Sequence, residues 1–108
     1  MVKQGDIVIV DFDPSLGSEQ KGERPGVIVS NDVYHQKTNG FVIVVPITRN
    51  HAFTYPLHLD LDERTKTKGQ IMCEQLKTMD SKARSIYVVE SLPKDLLDKT
   101  LKMIHLLF

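Results

Sequence analysis

Ile7-Val8-Ile9-Val10-Asp11-Phe12 and Gly26-Val27-Ile28-Val29-Ser30 bracket the stretch Gly17-Ser18-Glu19-Gln20-Lys21-Gly22-Glu23-Arg24-Pro25. Both flanks are β-branched runs bounded by turn residues, which predicts strands. The first is apolar along almost its whole length, so it is expected to be a central strand covered on both faces. The connection is long for a hairpin, and loops of that kind often carry function. Pro25 biases Arg24 toward extended backbone and removes one ladder donor. Arg24 is therefore expected where the loop enters the second strand, held by the sheet while the rest of the loop closes over a ligand. By composition alone the same stretch also reads as an ordinary solvated loop.

Outward from this hairpin, Asn31-Asp32 reads as a turn and Val33 to Gly40 as a polar connection closed by Asn39-Gly40. Phe41-Val42-Ile43-Val44-Val45 is a third strand, ended by Pro46-Ile47-Thr48. Arg49 to Tyr55 reads as a second mobile loop. Leu57-His58-Leu59-Asp60-Leu61 alternates, which predicts a strand with one wet face and a solvent-facing His58. Asp62 to Lys68 is a charged turn. Ile71 to Leu76 and Ser85 to Val89 read as further strands. Ser91 is a candidate N-cap and Pro93 suits the first turn of a helix. Leu97, Leu101, Ile104 and Phe108, widened by Leu96 and Leu107, form one apolar stripe on that helix. The expected fold is mainly β, about six short strands followed by a C-terminal helix, in a single domain over residues 1–108 built as a small barrel.

The chain has 108 residues. A chain of that size buries a real core but leaves little room for a deep enclosed site, so a site on loops or shared across a dimer is expected. No apolar run approaches the roughly 20 residues that span a bilayer. The first residues lack a signal-peptide core, which makes the cytoplasm the expected compartment. Fourteen basic residues balance fourteen acidic ones. That excludes bulk nucleic-acid binding by net charge, so any such site must be local. One local basic excess runs from Lys66 to Arg84. The single cysteine, Cys73, excludes an internal disulfide and reads as a small buried side chain.

His35, His51, His58 and His105 show no ligand spacing among themselves or with Cys73, so no metal site and no cofactor are expected. Phosphate-binding glycine loops and nucleophile elbows are missing from the sequence. The polar groups at predicted strand ends remain: Ser18, Glu19, Gln20 and Arg24, then Thr48 and Arg49, then Glu74 and Gln75. No hydrolytic triad is among them. Arg beside a hydroxyl and a carboxylate suits a phosphodiester, because Arg stabilises charge growing on phosphoryl oxygens. A carboxylate can take the proton of an attacking hydroxyl. In RNA that hydroxyl is the substrate's own 2′-OH.

The chain resembles the MazF/PemK (Kid) toxins of bacterial toxin–antitoxin modules. The resemblance rests on Gly5-Asp6-Ile7-Val8, Gly17-Ser18-Glu19-Gln20 with Gly22 and Arg24-Pro25, Ser30-Asn31-Asp32, Pro46-Ile47-Thr48, and Glu74-Gln75-Leu76-Lys77-Thr78-Met79-Asp80. It implies an SH3-like (CcdB/PemK-type) β-barrel that dimerises. It further implies a metal-independent endoribonuclease that cuts single-stranded RNA at short sequences, leaving a 2′,3′-cyclic phosphate and a 5′-hydroxyl. Arg24 and Thr48 match the family's principal catalytic pair, and Glu19 an acidic residue of the active-site loop. Ser18, Gln20 and Gln75 match positions that hold RNA; Lys21, Arg49 and Glu74 complete the expected RNA-binding set. Glu74 falls where some members carry an acid implicated as base, but the Arg two residues before it in those members is Met72 here.

The expected function is thus a sequence-specific endoribonuclease toxin. Arg24 would stabilise the phosphorane-like transition state, Thr48 would bond the scissile phosphate, and Glu19 would orient Arg24 or assist deprotonation of the 2′-hydroxyl. Expected partners are a second copy, single-stranded RNA, an acidic antitoxin that blocks the RNA groove, and DNA only through that antitoxin. The alternative is a non-enzymatic, CcdB-like toxin that binds and poisons DNA gyrase. A pure binder, however, has no need of Arg24 and Thr48 at strand ends.

Overall fold

The computed structural model describes residues 1–13, 17, 19, 22–49 and 56–108. The described residues form β1 (Asp6–Asp11), β2 (Glu23–Ile28), α1 (Asp32–Lys37), β3 (Phe41–Thr48), β4 (His58–Asp60), β5 (Gln70–Met72), β6 (Lys77–Asp80), β7 (Tyr87–Ser91) and α2 (Lys94–His105). All strand pairs are antiparallel. The strand order is β4-β5-β3-β2-β1-β7, with β6 also paired to β3. β1 lies between β2 and β7, as its apolar run requires.

The long strand β3 shapes the molecule. Its first half, Phe41 to Val44, pairs with β6, and its end, Ile47 and Thr48, pairs with β5. Two short strands thus share the edge of β3 away from β2. The ladder curls but does not close, since β4 and β7 end the order. This is an SH3-like curl, mainly β with a C-terminal helix.

Alternation along the strands makes two apolar layers. One face buries Ile7, Val27, Val29, Val45, Ile47 and Ile71 against Leu92, Leu96 and Ile104 of the α2 region, with Leu97 and Leu101 packed alongside. The other buries Val8, Val10, Phe12, Ile28, Val42, Val44 and Met79, with Val2 and Ile86 over them. Each fully buried Val, Ile or Leu contributes about 1.5–3 kcal/mol relative to an exposed one.

Several sequence expectations are corrected. Val33 to Gly40 is not a plain connection: Asp32–Lys37 forms a one-and-a-half-turn helix, with the Asn31 side chain accepting from the Tyr34 N–H at 2.9 Å. The apolar run Ile71 to Leu76 is not one strand, because β5 ends at Met72 and a turn separates it from β6. Ser91 ends β7, and Pro93 occupies the α2 N-cap position without a side-chain cap bond. Phe108 lies beyond the end of α2 and is 92% exposed, so the buried stripe stops at Ile104. Residues 50–55, expected as a second loop and including His51, lie outside the described residues, as do Ser18, Gln20 and Lys21.

Candidate active site

Arg24 pairs with Val10 of β1, and the β2–β3 ladder runs from Ile28↔Val44 to Gly26↔Pro46. It stops there because Pro25 and Pro46 have no N–H to donate. Arg24 and Thr48 each lie two residues beyond the last pair, so they share a sheet face with Gly26, Ile28, Pro46 and Val44. Arg24 is half-buried and Thr48 is only 8% exposed. Both polar groups therefore stand at the end of a rigid apolar sheet.

Gly26 leaves room on that face for Phe12. A Cβ at Gly26 would come within 3.0 Å of the Phe12 ring and 2.8 Å of Val44 Cγ1. Phe12 in turn lines a cleft of about 270 Å³ with Glu19, Pro46, Glu74, Gln75, Leu76 and Lys77. The cleft brings Glu19, Glu74 and Gln75 together although they are distant in sequence. Arg24 and Thr48 are not among its lining residues; they stand on the strands that flank it. Arg49 follows Thr48 and is exposed.

The loop that carries Glu19 is tied at its stem. Phe12 N–H donates to the Gly22 carbonyl at 2.9 Å, and Gly22 N–H to Asp13 Oδ1 at 3.1 Å. Arg84 donates to the carbonyls of Asp11 and Asp13 at 2.6 and 2.8 Å, and the Lys77 ammonium to that of Phe12 at 2.5 Å. Three successive carbonyls at the end of β1 thus each accept from a cation. This revises the expected basic patch. Lys82 is bonded to Asn39, Lys68 to the Thr65 carbonyl, and Lys77 and Arg84 to the loop stem. Much of the Lys66–Arg84 excess holds backbone in place.

His58 does not face solvent. Its side chain is 7% exposed, and its Nε2 lies 3.1 Å from Glu74 Oε2. Asp60, on the same face of β4, is exposed, but at the His58 end that face is covered by Glu74. No sequence signal links residues 16 apart across a turn. His105 is exposed. Cys73 is buried, and burial together with the adjacent Glu74 charge pushes its thiol up to about 12. A thiol so rarely ionised is no nucleophile. Among the described residues no three His, Cys, Asp or Glu gather as a metal-binding group.

Comparison with known proteins agrees with this architecture. Residues 3–108 match the model of the PemK-like, MazF-like toxins of type II toxin–antitoxin systems. The chain is 34% identical to endoribonuclease PemK of Escherichia coli over 103 residues, covering 93% of this chain and 77% of that protein. It is 35% identical to endoribonuclease MazF9 of Mycobacterium tuberculosis, with 95% of each chain covered. The crystal structure of MazF from Deinococcus radiodurans superposes with a TM-score of 0.88 at 25% identity, covering 98% of this chain and 94% of that one. A family match over nearly the whole chain, with the same fold, makes this protein a member of the PemK/MazF toxin family of type II toxin–antitoxin systems.

Proposed function

We propose that the protein is a sequence-specific, metal-independent endoribonuclease that cuts single-stranded RNA, mRNA above all, and so stops translation. The observation that carries this reading is the placement of Arg24 and Thr48 on one sheet face beside the cleft that holds Glu19. The 2′-oxygen attacks the adjacent phosphorus, the O2′–P bond forms, and the P–O5′ bond breaks. The departing 5′-oxygen takes a proton from water, so the products are a 2′,3′-cyclic phosphate and a 5′-hydroxyl. Glu19 receives the 2′ proton or orients Arg24. The Arg24 guanidinium neutralises charge on the non-bridging oxygens; always charged, it serves better as an electrostatic partner than as an acid. The Thr48 hydroxyl bonds the scissile phosphate. Arg49, Glu74 and Gln75, with Ser18, Gln20 and Lys21 of the loop, hold the strand on either side.

In this reading the protein works in the cytoplasm as a homodimer. An acidic antitoxin segment, disordered until bound, competes with RNA for the same groove and carries the complex to DNA. No helix among the described residues is long and apolar enough to cross a membrane. The test is incubation of the pure protein with a long RNA in EDTA, followed by mapping of the product ends. Cyclic phosphate and 5′-hydroxyl ends at a recurring short sequence support the reading. Products with 5′-phosphates, or cleavage restored only by a divalent ion, overturn it.

A further inference from the structure

We infer that the Thr48-bearing face of β3, β5 and β4 carries a strip of hydrogen-bond acceptors, Gln70 and Glu74, that takes donor groups of the bound RNA; the inference rests on the ribonuclease reading above. Register places Thr48 opposite Gln70 and Gln70 opposite Asp60, so these three side chains stand in one row on one face. His58, two residues before Asp60, projects from the same face and reaches Glu74 just beyond the end of β5. Neither Gln70, Asp60 nor His58 belongs to the catalytic set.

Each outer residue fixes an inner one. Gln70 Nε2 donates to Asp60 Oδ1 at 2.9 Å, which sets the orientation of the amide and leaves Oε1 as its other end. His58 Nε2 donates to Glu74 Oε2, which leaves Glu74 Oε1. Both remaining oxygens are buried and have no hydrogen-bond partner. Among the described residues three buried side-chain atoms are in this condition, and two of them lie on this strip. The third, His35 Nδ1, is elsewhere and has Asp32 Oδ1 3.8 Å away.

A buried acceptor with no donor is costly, and folded proteins keep few of them. A ligand that delivers an N–H or O–H removes the penalty. Single-stranded RNA offers both, from the 2′-hydroxyl and from the amino and ring N–H groups of unstacked bases. Glu74 also lines the cleft beside Glu19 and Gln75, so the strip continues the path of a strand laid across the site. His58 and Asp60 are then positioning residues, which act through Glu74 and Gln70. Their place on paired strands holds both acceptors in fixed geometry.

The experiment uses a single-stranded RNA spanning a mapped cleavage sequence, with the 2′-hydroxyl of the cleaved nucleotide replaced by hydrogen so that it binds uncut. Binding is measured for the parent protein and for Gln70→Met, Glu74→Gln, His58→Asn and His58→Leu, each checked for a parental Tm. Gln70→Met and Glu74→Gln are expected to bind about tenfold or more weakly, the loss of one good hydrogen bond. His58→Asn, which keeps a donor, is expected to lose less than His58→Leu. A second series keeps the parent protein and removes one RNA donor at a time, either a further 2′-hydroxyl or a base amino group. One removal is expected to weaken the parent about tenfold and to leave the matching variant unchanged, which also tells ribose from base. If folded Gln70→Met and Glu74→Gln bind like the parent, the inference is overturned. If the variants do not fold, the parent series decides, and no loss at any removed donor overturns it. A parent that cuts no RNA at all overturns the ribonuclease reading instead, before any variant is compared.

Discussion

A Cβ on Gly69 would fall within the van der Waals envelope of the Thr48 carbonyl oxygen, and Gly69 itself has φ 131°. This contact lets β5 approach the end of β3 and seats Thr48 opposite Gln70. Both the clash and the backbone angle exclude a side chain at residue 69. Gly69→Ala is expected to cost at least about 1–3 kcal/mol, the usual range for a residue held in a sparsely populated backbone region. Urea denaturation measures the loss, and cleavage is expected to fall with it because Thr48 moves. A Gly69→Ala protein with parental stability and activity would show that the close approach is unimportant.

Arg24 and Thr48 each lie two residues past the last β2–β3 pair, where Pro25 and Pro46 offer no N–H to the ladder. Removal of one transition-state donor typically costs about 10²–10³ in rate. Arg24→Ala is expected to lose cleavage by that factor or more while keeping its Tm, since the side chain is half-buried at a strand end and outside both apolar clusters. Thr48→Ala is expected to lose cleavage strongly as well. Arg24→Lys is expected to recover little, because a point charge does not replace a planar fork of donors. Parental cleavage by folded Arg24→Ala contradicts the mechanism.

The stem of the Glu19 loop offers a prediction that separates position from chemistry. Arg84 bonds the carbonyls of Asp11 and Asp13 and is not assigned to touch RNA. Arg84→Met keeps most of the apolar stem and removes those bonds. Two charge-assisted bonds of this kind each contribute about 1.5–3 kcal/mol when buried and less at a surface. Hydrogen exchange at the Phe12 amide, which bonds Gly22, is expected to speed up in this variant. Cleavage is expected to fall through kcat more than through KM. Unchanged exchange at Phe12 would mean that the stem holds without Arg84.

What was legible in the sequence follows local chemistry. Ile7 to Phe12 declared a central strand because nearly every side chain is apolar. Leu97, Leu101 and Ile104 declared a helix because they recur at its period. Arg24 before Pro25 declared a strand entry because the proline restricts its neighbour. The helix Asp32–Lys37 was missed since its face toward the protein is His35, held by Ser30 Oγ at 2.6 Å, not an apolar stripe. Glu74 and His58 could not be paired from sequence because their contact depends on β4 lying beside β5. The cations from Lys66 to Arg84 looked like a nucleic-acid patch because composition does not reveal which carbonyls they meet.

Glu90 gives a pH prediction with a definite sign. Its carboxylate accepts from the N–H groups of Lys66 and Thr67 at 3.0 and 2.8 Å and from the Thr67 hydroxyl at 2.8 Å. Burial alone pushes its pKa up, but those three donors together hold it below the ordinary value of 4.5. A carboxyl lowered on folding contributes stability above its unfolded pKa and loses it as pH falls through the folded one. Glu90→Gln is therefore expected to destabilise the protein at pH 7, with the difference from parent shrinking as pH drops below about 4.5. Chemical denaturation at pH 7 and at pH 3 checks this. A difference that stays constant with pH would show that Glu90 acts by shape and not by charge.

The remaining apolar surface predicts assembly. On β7, an edge strand, Tyr87, Val88 and Val89 are all about half-exposed or more, and beyond α2 both Leu106 and Phe108 are largely bare. An exposed edge strand with apolar side chains is a template for pairing unless something covers it. A second copy related by a two-fold axis covers the same patch on both partners at once. The cleft of about 270 Å³ is small for an RNA strand, and a groove formed between two copies gives a single strand walls on both sides. The protein is therefore expected to sediment as a dimer at micromolar concentration. Val88→Lys and Phe108→Lys are expected to shift that equilibrium toward monomer by about tenfold or more in Kd, since each places a charge where apolar surface is to be buried. If dissociation accompanies loss of RNA cleavage while Tm at high concentration stays parental, the groove belongs to the dimer. A clean monomer at micromolar concentration for the parent protein would contradict the dimer outright.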